Sequence, residues 1–99
     1  MNVQERLNWL IDAAEQLEIG VRIEHLGGLG GGLCVLKSGR LLFVDADADL
    51  HTQYEITLGA VGSLRELYDR HIPPAIAEDL ERIDGASRED GRDQSNHSP

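Results

Sequence analysis

The stretch LCVLKSGRLLFVD, residues 33–45, carries large apolar side chains at nearly every position on either side of a central Ser-Gly. Two apolar runs separated by two such residues read as a β-hairpin. Pairing across Ser38-Gly39 sets Leu36 opposite Leu41, Cys34 opposite Phe43 and Leu33 opposite Val44. One face then carries Cys34, Leu36, Leu41 and Phe43, and the other Leu33, Val35, Leu42 and Val44. A sheet with one solvated face alternates apolar and polar residues, and this hairpin does not. Either helices of the same chain cover both faces, or part of the sheet is left for a partner. A three-layer arrangement is demanding for one small domain.

The segments around the hairpin define the rest of the fold. Val3, Leu7, Leu10, Ala14 and Leu17 recur at spacings of four and three, widened by Trp9 and Ile11, which predicts an N-terminal helix. Asn2 followed by Glu5 is a capping-box pattern, and Gly20 stands where a terminating glycine is expected. VRIEH, residues 21–25, alternates as a half-exposed strand does. From Asp49, a plausible N-cap, the period is helical again, with Leu50, Tyr54, Leu58, Val61, Leu64 and Tyr68 on one face. We read this as one continuous or kinked helix, with Gly62-Ser63 as the alternative break. Pro73-Pro74 stops it, and a short final helix carries Ile76, Leu80 and Ile83. The expected class is α+β: a helix, a three-stranded antiparallel meander and two C-terminal helices, in the order α-β-β-β-α-α. Residues 1–83 form the expected domain. The polar run from Asp84 to Pro99 offers nothing large to bury and reads as a disordered tail.

Charge and motifs exclude more than they assign. The formal net charge is −9, from 18 acidic and 9 basic residues. With no basic cluster, the chain suits neither nucleic acid nor an anionic membrane surface. No apolar run is long enough to span a bilayer, and the first residues lack a basic leader, so a cytoplasmic location is the default expectation. One cysteine forms no internal disulfide framework.

HLGGLGGGLC, residues 25–34, is the most unusual stretch. A dinucleotide fingerprint beginning at Gly28 and Gly30 would need glycine at 33, where Leu33 stands. A P-loop beginning at Gly31 would end on Leu36-Lys37-Ser38, lacking its second glycine and lying in a strand. The simpler reading is a flexible connection between two strands. Cys34 is a candidate nucleophile with His25 or Asp45 as its partner, but a lone cysteine inside an apolar strand is usually packing material. DADAD, residues 45–49, offers Asp45, Asp47 and Asp49 as hard oxygen ligands, but Leu50 and Ile56 break the EF-hand pattern. Strand end, turn and helix cap account for those three acids. His25, His51, His71 and His97 show no zinc-site spacing. No cofactor and no metal is expected.

Over residues 1 to 70 the element order resembles the core of minimal zinc metallopeptidases of the ImmA/IrrE type. In those the helix after the hairpin carries HExxH. Here that helix reads TQYEITLGAVGSL, so the resemblance implies no peptidase activity. Gly31-Gly32-Leu33-Cys34, Val44-Asp45 and the segment from Leu50 to Pro74 are similar to a group of small bacterial proteins, a similarity that implies a fold and no activity. The expectation that remains is a non-enzymatic association module, pairing with a second copy or another protein. The residues expected to carry it are Leu33, Val35, Leu42 and Val44, with Gly30 and Gly31 of the loop. The alternatives from other classes are a thiol or hydrolytic enzyme at Cys34 and a weak divalent-metal site at Asp45, Asp47 and Asp49.

Overall fold

A computed structural model describes residues 1–84; the tail expected from Asp84 lies outside the described residues except for Asp84 itself. Helix α1 spans Val3–Gln16 and begins with the expected capping box, in which Asn2 and Glu5 exchange side-chain and backbone hydrogen bonds. It ends earlier than the glycine suggested. Glu18, at φ 63°, takes the left-handed position, and Gly20 opens the next strand.

Three strands follow, β1 (Gly20–Glu24), β2 (Gly32–Leu36) and β3 (Gly39–Asp45). They do not form an antiparallel meander. The order is β1-β3-β2, with β1 parallel and β2 antiparallel to β3, so the sheet is mixed. The longest strand, β3, takes the centre, where both its edges are hydrogen-bonded. The charged β1 goes to one edge, and the glycine-rich connection crosses the end of β3 to reach the other. The hairpin register also differs by two residues, because the turn is Lys37-Ser38: Leu36 faces Gly39, Cys34 faces Leu41 and Leu33 faces Leu42. Gly39, at φ 140°, absorbs the geometry that follows the turn. A slip of two preserves the side-chain period, so the two faces have the composition read from the sequence.

Helix α2 spans Leu50–Gly62, with the Asp49 side chain accepting from Thr52 N–H at its N-cap. It stops at Gly62, and a 3-10 helix, Arg65–Asp69, follows. Glycine at this end also makes room for the last helix, since a Cβ at Gly62 would lie 2.6 Å from Leu80 Cδ2. That helix, α3, occupies 74–84. Asp79 anchors it by accepting from both Arg6 of α1 and Tyr54 of α2, and Arg82 forms a two-pronged pair with Glu55. Burial first, and then Asp79, hold the Tyr54 hydroxyl well above the ordinary phenol range, so it acts as the donor.

One core results. Leu7, Leu10, Ala14, Tyr54, Leu58, Val61, Leu67 and Ile76 pack with Leu42 and Val44 of the sheet, and Val21 and Leu33 border them. The opposite face, with Cys34, Leu36, Leu41 and Phe43, contributes nothing to that cluster. Among the described residues the helices therefore pack on one side of the sheet. No helix among the described residues is long and apolar enough to cross a membrane.

This one-sidedness predicts unequal effects of truncation. Leu42→Ala should cost about 2–5 kcal/mol, while Leu36→Ala, 46% exposed, should stay within about 0.5 kcal/mol. Urea unfolding of both variants checks it; equal losses would mean that both faces are packed within the chain.

Candidate functional site

The glycine loop, residues 25–31, folds around a carboxylate. Asp45, the last residue of β3, is 2% exposed. Its Oδ1 accepts from the N–H groups of Leu26 and Asp47, each at 2.9 Å. Its Oδ2 accepts from Gly28 at 2.7 Å and Gly30 at 2.9 Å. Burial alone would raise this carboxyl, but the N–H groups of Leu26, Asp47, Gly30 and Gly28 outweigh it and hold the group below the ordinary carboxylate range. Successive loop N–H groups form the kind of concavity that binds anions. Here the anion is the chain's own side chain, which leaves those donors satisfied without phosphate.

Asp47 completes the loop from the other side. Its Oδ2 accepts from Gly27 N–H at 2.9 Å, and its Oδ1 lies 2.8 Å from His25 Nδ1. Gly31 closes the crossing at φ 104°, where a Cβ would lie 3.1 Å from the Phe43 carbonyl oxygen and 3.3 Å from Ile56. Glycine is required there both by conformation and by space.

The sequence-level candidates can now be placed. Asp45 ends the strand and Asp49 caps α2, as the simpler reading of DADAD had it, while Asp47 holds the loop. The lone-pair directions of Asp45 are taken by four N–H donors. Among the described residues no group of three His, Cys, Asp or Glu side chains is placed to hold a metal. His25 is bound to Asp47, and Cys34 makes no hydrogen bond to His25 or Asp45 among the described residues. Cys34 sits half-buried on the open face of the sheet, opposite Leu41. Leu42 and Val44, expected as contact residues, are 0% and 2% exposed and belong to the core. The physical reason is that α1 and α2 pack on their face. Leu33 is half-buried, Val35 is 73% exposed, and Gly30 and Gly31 belong to the pinned loop.

Two features escaped sequence reading. The hydrogen bonds that Asp45 accepts from the loop join residues 15 to 19 positions apart, and local patterning carries no signal for them. Leu29, 96% exposed at the loop tip, was legible only as a spacer between glycines. Away from the loop, an open cleft of about 530 Å³ lies between the end of α2 and α3, bordered by Ile72, Ala77 and Leu80. Its hydroxyls are spent internally, Ser63 on the Ala60 carbonyl and Tyr68 on the Gly62 carbonyl.

No family model, curated protein or solved structure matches this chain. Function therefore has to be argued from the geometry.

The His25–Asp47 pair makes a pH prediction. The Asp47 hydrogen bond, and then its charge, raise His25 above 6.5. What His25 adds to loop stability is complete below about pH 6.5 and is lost as pH rises through its folded pKa. Asp47 is held below 3.8, first by the His25 hydrogen bond and then by Gly27 N–H. Its contribution is present above that value and lost as pH falls through the lower folded pKa. Both groups are largely solvated, so the pair tunes the loop more than it stabilises the fold. By proton NMR, His25 should titrate above 6.5 in the native chain and return toward that value in Asp47→Asn. Identical midpoints would remove the pair.

Proposed function

We propose that this chain is a non-enzymatic association module whose contact surface is its β-sheet and whose partner is a second copy of itself. The observation that supports the reading is the face carrying Cys34, Leu36, Leu41 and Phe43, which lies outside the core cluster of the described residues, with Leu36 exposed and the other three half-buried. Burying such side chains is worth roughly 1.5–3 kcal/mol each when complete. A partially exposed set of four is therefore a substantial reservoir for binding.

Other exposed apolar residues belong to the sheet and its crossing loop. Ile23, Leu26, Leu29, Val35 and Leu36 all lie in β1, β2 or the loop between them. The helical side contributes only Met1, Leu50 and Tyr68 among the large exposed apolar residues described. The loop supports the sheet and does not replace it as a binding surface, because its N–H groups are engaged by Asp45 and Asp47. A second copy is the economical partner: it presents the same apolar face and needs no complementary chemistry.

Native mass spectrometry of the full chain tests this. A dimer or higher assembly with no added mass is expected. A monomer at every concentration would contradict the proposal.

A further inference from the structure

The two outer strands of the sheet are not equivalent. β1 reads GVRIE and carries Arg22 and Glu24, paired with one another at 2.7 Å. Charged side chains on an edge strand oppose its extension by a foreign strand. β2 reads GLCVL, with no charge, no proline and no bulge in its pairing to β3. It stands at the edge of the sheet with Val35 73% and Leu36 46% exposed. Along its described residues this edge thus lacks the charge, proline or bulge that commonly blocks strand addition.

Area decides how a second copy can use it. A three-stranded face of five to seven residues measures about 14 Å by about 20 Å, roughly 300 Å² in projection. Two such faces stacked directly bury about 600 Å² in total, short of the roughly 1,200–2,000 Å² of a specific interface. Joining two sheets edge to edge doubles the open face into one platform and satisfies the free strand edge as well.

We propose that β2 pairs antiparallel with β2 of a second copy across a two-fold axis at Cys34, giving a continuous six-stranded sheet. The inference rests on the self-association reading and specifies its geometry. Cys34 is the middle residue of β2, so this register uses the whole strand: Cys34 faces its own copy, and Leu33 faces Val35. Val35, idle in the single chain, gains an apolar neighbour. The uncovered Cys34 and Leu36 of the two chains become adjacent on one face, extending the patch that begins at Leu41 and Phe43. Directly opposed residues in an antiparallel pair have Cα atoms about 4.5–5.5 Å apart, inside the range that a disulfide spans.

The test combines three readouts on the full chain. Hydrogen exchange should slow at the amides of residues 33–36 as concentration rises. Val35→Lys, which changes a side chain already solvent-facing in the monomer, should raise the dimer dissociation constant at least tenfold while the melting temperature of the dilute protein is kept. Diamide should link the two copies through Cys34, taking one hydrogen from each thiol as it is reduced to its hydrazine and leaving the S–S bond. A dimer in which residues 33–36 exchange freely at all concentrations, and which tolerates Val35→Lys, would overturn the edge geometry and leave self-association standing. A chain that stays monomeric throughout would overturn both.

Discussion

The Asp45 carboxylate is the interaction on which the arrangement depends. Placing β3 in the centre of the sheet requires the chain to leave β1 at one edge and enter β2 at the other, passing over the end of β3. That crossing strips several backbone N–H groups of strand partners, and buried donors left unpaired are costly. Asp45 stands at the point of crossing and accepts three of them, from Leu26, Gly28 and Gly30, with Asp47 N–H as a fourth donor. The glycines let the backbone bend closely enough around one side chain for this to happen, and Asp47 and His25 fasten the outer turn. A loop that looks like a ligand cradle is instead closed on an internal anion.

From that crossing follows the asymmetry of the molecule. All the helices stack on one side, where Leu42 and Val44 meet α1 and α2 and where Asp79 ties α3 to both. The apolar residues of the other side stay outside the core cluster of the described residues. The edges differ too, β1 carrying Arg22 and Glu24 and β2 no charged residue. A small domain that stacks its helices on one face gains a single well-packed core and leaves the other face of its sheet outside it.

Much of this was legible in the sequence, for identifiable reasons. Caps are local, so Asn2 with Glu5, and Asp49 before α2, could be read directly. Face composition depends only on the period of two, so the faces survived a register displaced by two residues. Strand order did not survive, because neighbours in sequence are not obliged to be neighbours in a sheet and propensity carries no information about which strand takes the centre. The covered face was likewise illegible: Leu42 and Val44 look as available as Leu41 and Phe43 until the helices are placed. Asp45 could be recognised as a strand end, whereas its role as the acceptor for a distant loop required three-dimensional proximity.

The most direct test of this account is a carbon-13 NMR titration of the Asp45 side-chain carboxyl in the intact protein. The account predicts a midpoint below 3.8, with the amide protons of Leu26, Gly28 and Gly30 shifting in step as the carboxyl takes up its proton. A midpoint at or above that value, or loop amides indifferent to it, would contradict the claim that the crossing is built around this carboxylate.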